Sequence, residues 1–128
     1  MTAADQVWNR AATESGGEVP GPGDCALASL LCAHGLIMNG GVHHALECLQ
    51  PRELAAAIDG YAYFGLDDVA ALLRGAASDP VLREWTDDTE SVANGRYAKF
   101  VPDDDHLVNR FRVVFRERVN QFAPVDPE

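Results

Sequence analysis

The stretch His34–Ala45, HGLIMNGGVHHA, decides the fold, because it ends the most apolar segment of the chain and contains three of the four histidines. The segment before it, CALASLLCAHGLIM at residues 25–38, is apolar around nearly its whole circumference, which is typical of a helix at the centre of a bundle. A structural turn is predicted directly afterwards, at Asn39, Gly40 and Gly41. Glycine tolerates the left-handed backbone at a helix end, so we expect a shorter helix to follow the turn.

The remaining segments also predict helices. Apolar residues recur at helical spacing in residues 3–13, 51–77 and 103–122, and glycine or proline separates these segments. Residues 51–77 indicate a helical hairpin with a very short connection. We therefore predict an all-α, single-domain compact helical bundle of about five to seven helices.

This single domain is expected to span residues 1–128, with irregular structure at two places. A loop rich in glycine and proline is predicted at 13–24, and its last residue, Asp24, is a suitable N-cap for the central helix. A flexible tail is predicted at 123–128, where prolines end the last helix. Three cysteines without CxxC spacing indicate buried free thiols rather than disulfides or a zinc site.

Charge limits the classes of partner. The net charge of the chain is −10, so it is repelled by phosphate, and we expect no direct contact with nucleic acid or a membrane. A membrane span is also not expected, because no run of about 18 apolar residues is present. The first residues lack the apolar stretch of a signal peptide, so we expect a cytoplasmic protein. A basic protein partner is electrostatically suitable.

Clusters of acidic residues are the candidate partner-binding residues. They are Asp87, Asp88 and Glu90, followed by Asp103, Asp104 and Asp105. Each cluster precedes a helical segment, so capping explains each of them locally. Taken together with the net charge, they also suit a carboxylate surface that binds arginines and lysines of another protein.

The histidines suggest an alternative, a small metal-dependent hydrolase. It would use His34, His43 and His44, with Glu47 or Cys48 as further ligands. His43 and His44 point about 100° apart on a helix, so they are unsuited to bind one metal together. A polar turn with imidazoles at the surface is the simpler interpretation.

The order of these elements resembles the bacterial DNA-mimic protein family. Members have a stretch similar to VNNGGFxQYFxNS, and IMNGGVHHALECL of this chain matches it at Asn39, Gly40 and Gly41. The hairpin AIDGYAYFGLDDVAALLRGA extends the resemblance over residues 24–77, with a vaguer match at 97–122. The chain differs from this motif after the glycines, where it has Val42, His44 and Ala45, and it lacks the Asn-Ser pair at the end of the motif.

The resemblance implies an all-α fold, no cofactor, no metal and no catalytic residues. It also implies an acidic protein that can form a homodimer. The carboxylates of such a protein imitate DNA phosphates and occupy the DNA-binding site of a partner such as a transcription factor. An immunity protein that neutralises a basic toxin is an alternative with the same acidic surface. Fold alone does not assign function, since mimicry depends on where the surface acids lie.

Overall fold

The computed structural model describes residues 1–78 and 86–126. Within them the chain forms six α-helices, one 3₁₀ turn and no strand, which confirms the predicted all-α, single-domain bundle. The α-helices are α1 Ala3–Glu14, α2 Pro22–Cys48, α3 Pro51–Tyr63, α4 Asp67–Ser78, α5 Asp87–Phe100 and α6 Asp104–Glu117, and the 3₁₀ turn is Val119–Gln121.

Helix α2 is the central helix, and it contacts α1, α3 and α5. Its buried residues follow one another at helical spacing and include Leu27, Leu30 and Ile37. The rest of its circumference is less covered than the sequence predicts, because its neighbours pack on only part of it. Cys25 and Cys32 are exposed there, and Cys48 is exposed as well, so the expectation of buried thiols was wrong.

The composition of α2 also meets a criterion for membrane spans. An 18-residue window of this helix has a mean hydropathy of 1.5, so its length and composition would allow it to cross a membrane. No membrane span was expected from the sequence because polar residues and glycines interrupt the apolar run, but the mean hydropathy of the window is high in spite of them. The core helix of a soluble protein passes the same test; here α2 packs against three other helices, and 33% of the window is buried.

The start of α2 differs from the prediction that Asp24 is the N-cap. The helix begins at Pro22, because proline suits the first helical position, and Gly21 is the N-cap. Asp24 lies one turn inside the helix, where its carboxylate accepts a hydrogen bond of 2.9 Å from the backbone N–H of Gly21. The loop predicted at 13–24 is therefore shorter, since α1 continues to Glu14.

Asp24 also holds the end of the chain. Its carboxylate is fully buried and accepts hydrogen bonds from Arg10 Nη2 at 2.8 Å and from the backbone N–H of Ala123 at 2.6 Å. Arg10 donates further hydrogen bonds to the carbonyls of Ala123 and Pro124. Residues 123 and 124 were predicted to be part of a flexible tail, but these contacts fasten them to α1 and α2. Residues 127 and 128 lie outside the described residues.

The predicted turn at Asn39, Gly40 and Gly41 is a kink within α2. Asn39 and Gly40 belong to the helix, and only Gly41 leaves helical geometry, with φ of 96° and ψ of 173°. The Asn94 side chain of α5 accepts a hydrogen bond of 2.9 Å from the backbone N–H of Val42. This bond satisfies a donor that the kink removes from the helical ladder, and the chain continues as helix to Cys48.

Aromatic side chains fill the space between α6 and the rest of the bundle. Phe111 of α6 lies at its centre, with ring centroids 5.6 Å from Trp8 of α1 and 6.1 Å from Phe64 after α3. Phe115 and Phe122 complete the cluster. Burial of large aromatic surfaces contributes strongly to folding stability, so this cluster fixes α6, and with it the acidic residues at its start.

Candidate interaction site

The acidic residues predicted to bind a partner lie at the starts of two helices. Asp87, Asp88 and Glu90 are in the first turn of α5 and form what we term the α5 acidic turn. The α6 acidic turn consists of Asp103, Asp104 and Asp105. Negative charge is favourable there, because it complements the partial positive charge of a helix N-terminus.

Both acidic turns are accessible. Five of these residues are exposed and Glu90 is half-buried. Asp103 is the N-cap of α6 and accepts a hydrogen bond of 3.0 Å from the backbone N–H of His106. Asp104 contacts a histidine, whereas the other carboxylates have no basic partner within 4 Å among residues 1–78 and 86–126.

The structure places the two acidic turns apart instead of in one cluster. Helix α5 has 14 residues, so it separates its own acidic turn from that of α6 by about 20 Å along its axis. Arg96 and Lys99 are exposed on α5 between them. The carboxylates therefore form two separate groups with basic residues between them.

Asp104 connects the α6 acidic turn to the interior of the bundle. Its carboxylate Oδ1 lies 2.8 Å from Nε2 of His34. The Asp104 side chain is 76% exposed, whereas that of His34 is 11% exposed. His34 therefore contacts the surface carboxylate from within the bundle.

The other ring nitrogen of His34 extends this contact into the core. His34 Nδ1 lies 2.7 Å from the hydroxyl of Tyr97, and that hydroxyl lies 2.7 Å from the hydroxyl of Tyr61. Tyr97 belongs to α5 and Tyr61 to α3, and both are buried. Four polar side chains from four helices thus form one line from the surface to the core.

One arrangement of protons gives each of these three hydrogen bonds a donor and an acceptor. An ionised Asp104 only accepts, so His34 donates through Nε2 and its Nδ1 is an acceptor in the neutral ring. Tyr97 then donates to His34, and Tyr61 donates to Tyr97. The reverse direction would leave the Tyr61 hydroxyl proton without an acceptor among the described residues, which is costly for a buried group.

The two tyrosine hydroxyls stay protonated at neutral pH. Burial raises the pKa of Tyr61 and of Tyr97 well above the ordinary value of 10.0. The neighbouring charge of Asp104 further raises the pKa of Tyr97, although the hydrogen bond with Tyr61 opposes this. Both hydroxyls can therefore donate, as the proposed direction requires.

The remaining histidines of the quoted stretch form two separate pairs on α2 beyond the kink. His43 Nε2 lies 3.2 Å from Glu47, and the ring of His44 lies 3.7 Å from Cys48 Sγ. His34 does not join them, since its two ring nitrogens contact Tyr97 and Asp104. In the described part of the chain, no group of three or more His, Cys, Asp or Glu side chains is arranged to hold a metal ion.

The sequence of the chain matches a known protein family. The family model described as DMP19-like protein matches residues 20–123, which is most of the chain. The chain belongs to the DMP19-like protein family. The match includes both acidic turns and the Asn39–Gly41 stretch, in agreement with the resemblance to DNA-mimic proteins. No curated protein and no solved structure matches the chain significantly.

Sequence reasoning on this member of the DMP19-like family missed the roles of the two buried tyrosines. Tyr61 lies within the segment 51–77 and Tyr97 at the start of the match at 97–122, and neither position by itself predicts a hydrogen bond. The partners of His34 are 63 and 70 positions away in the sequence, so no local spacing could indicate the contacts. The available signal was a histidine within an otherwise apolar helix, because a buried polar group needs hydrogen-bond partners.

Proposed function

We propose that this chain is a non-enzymatic interaction module whose acidic turns bind arginines and lysines of a basic protein. In the most specific form, the partner is a DNA-binding protein, and the carboxylates take the positions of DNA phosphates. Membership of the DMP19-like family and the net charge of −10 support this proposal.

The exposed carboxylates at the starts of α5 and α6 are the observation that carries the proposal. Carboxylates without an intramolecular cation are available for charge-assisted hydrogen bonds with a guanidinium or ammonium group. Because the chain repels phosphate and attracts cations, association with a basic partner is also accelerated at low salt.

The separation of the acidic turns restricts where the basic residues of the partner can lie. Basic residues of the partner would have to reach two groups about 20 Å apart along α5. Arg96 and Lys99, exposed between these groups, would disfavour a partner with a continuous basic stripe along that line. We therefore expect a partner with two basic patches.

Binding of a fluorescent arginine-rich peptide, measured by anisotropy, tests this proposal. We expect the affinity to fall at least tenfold between about 0.05 M and about 0.3 M salt, since exposed charge pairs are strongly screened. The variants Asp87→Asn with Asp88→Asn, and Asp103→Asn with Asp105→Asn, remove charge from each turn. Asparagine caps helices as well as aspartate does, so the helix starts are preserved.

The matched control is the double variant Glu14→Gln with Glu18→Gln, which removes two exposed charges far along the sequence from both turns. We expect this control to weaken binding less than either pair of acidic-turn substitutions. An affinity that is independent of salt would refute the proposal. An equal loss in all three double variants would show that the peptide responds only to net charge, and it would also refute a role for the two turns.

A further inference from the structure

We infer that His34 is a positioning residue for partner recognition, which holds the Asp104 carboxylate in place from inside the bundle. The inference rests on the proposed function, because it assigns a role to His34 in the binding by the α6 acidic turn. It concerns a residue that the sequence suggested for metal binding and that the structure places under the surface instead.

The side chains of Asp104 and His34 differ in burial. The Asp104 side chain is 76% exposed and would be free to rotate, but its Oδ1 lies 2.8 Å from a ring nitrogen that is itself held in the core. Fixing a side chain before binding reduces the entropy that association loses. Among residues 1–78 and 86–126, neither Asp103 nor Asp105 has a comparable contact with a buried group.

Asp104 keeps acceptor positions that a partner can use. A carboxylate has two oxygens with about four acceptor positions, and the contact with His34 uses Oδ1 alone. Oδ2 is therefore able to accept a hydrogen bond from an arginine or lysine of the partner. In the proton arrangement derived above, His34 is neutral, so it orients Asp104 without cancelling its charge.

The orientation of His34 is itself fixed. The hydroxyl of Tyr97 lies 2.7 Å from Nδ1, and Tyr61 lies 2.7 Å from Tyr97. A defined hydrogen bond at one ring nitrogen selects which nitrogen bears the proton. The groups that face His34 are thus Tyr97 from α5 and Asp104 from α6, with Tyr61 from α3 behind Tyr97.

Nitrogen NMR of the wild-type chain at neutral pH tests the contact without any partner. We expect His34 to be neutral with the proton on Nε2, so that Nδ1 shows the chemical shift of an unprotonated nitrogen. A proton on Nδ1, or on both nitrogens, would overturn the assignment.

A double-mutant cycle then tests the role in recognition, with the fluorescent arginine-rich peptide as probe. We expect His34→Leu to weaken peptide binding about two- to tenfold, the loss that corresponds to releasing one side chain. The same substitution should have no effect on binding in the Asp104→Ala background, because His34 acts through Asp104. It should keep its effect in the Asp105→Ala background, which is the matched control from the same helical turn.

The conservative variant His34→Gln separates positioning from a merely structural role. Glutamine can donate to Asp104 through its amide nitrogen and accept from Tyr97 through its oxygen, so we expect wild-type affinity. Circular dichroism confirms that each variant is folded. Failure of His34→Gln to restore binding, or an equal effect of His34→Leu with and without Asp104, would overturn the inference alone. A wild-type chain that does not bind the peptide would overturn the proposed function together with it.

Discussion

Asp24 and Asp5 both contact an arginine, but their surroundings differ. Asp24 is fully buried, and it accepts hydrogen bonds from Arg10 and from the backbone of Gly21 and Ala123. Asp5 lies at the surface, 3.6 Å from Arg112, and its pKa is lowered mainly by hydrogen bonds from Thr2 in the capping box of α1. The same residue type therefore holds the tertiary structure together at one position and completes a helix start at the other.

Replacing Asp24 should test this difference. We expect Asp24→Asn to lower the free energy of unfolding by about 3–5 kcal/mol, because it leaves Arg10 as an uncompensated, largely buried charge. Urea denaturation measures the change. The matched control is Asp5→Asn, which removes an exposed carboxylate and should cost much less. Similar losses in the two variants would contradict the role of the buried network in fastening the C-terminal segment.

At the scale of elements, the kink in α2 decides how its neighbours are placed. Gly41 has a φ of 96°, which side chains of L residues rarely adopt, and a Cβ there would lie 3.0 Å from the side chain of Asn94. Gly35 is in the same helix, and a Cβ at that position would meet nothing within 4 Å. The fold therefore requires glycine at position 41 but not at position 35.

Alanine substitutions distinguish the two positions. We expect Gly41→Ala to destabilise the chain by about 1–3 kcal/mol, since its backbone conformation is essentially restricted to glycine. Gly35→Ala should stabilise it by about 0.5–1 kcal/mol, since alanine loses less conformational entropy in a helix. Thermal or chemical unfolding measures both. A stabilising effect of Gly41→Ala would show that the kink is not needed.

At the scale of the whole molecule, the charges repel one another. The net charge is −10, and few of the described carboxylates have a basic side chain within 4 Å: an arginine lies beside Asp5 and beside Asp24, and a histidine lies beside Glu47 and beside Asp104. A compact state with excess charge of one sign is destabilised by self-repulsion. The same excess of negative charge would attract the basic partner that we propose.

Salt should therefore stabilise the free chain. We expect the melting temperature to rise as sodium chloride increases from about 0.01 M to about 0.3 M, because the Debye length falls from about 30 Å to below 8 Å. Differential scanning calorimetry measures the change, and sucrose at equal osmolality serves as the control for effects unrelated to charge. A melting temperature that falls over this range would contradict a fold limited by self-repulsion.

Much of the fold could be predicted from the sequence, because helical spacing, caps and glycine positions are local signals. The all-α class and the helical hairpin from residue 51 onwards follow from such signals. The kink at Gly41 was predicted as a helix end, because the sequence cannot show that Asn94 satisfies the backbone N–H of Val42. Likewise, the sequence cannot show the hydrogen bond from the backbone N–H of Ala123 to Asp24, because the two residues are 99 positions apart.

The sequence by itself determined the helical class, the negative charge and the positions of the acidic turns, since each depends on residue type and near-neighbour spacing. Only the tertiary structure decided how these parts relate in space. It separated the two acidic turns along α5, and it placed His34 beneath Asp104 in line with Tyr97 and Tyr61. The physical reason is that a hydrogen bond joins atoms only about 3 Å apart. The packing of the helices therefore determines the hydrogen-bond partner of each buried polar group.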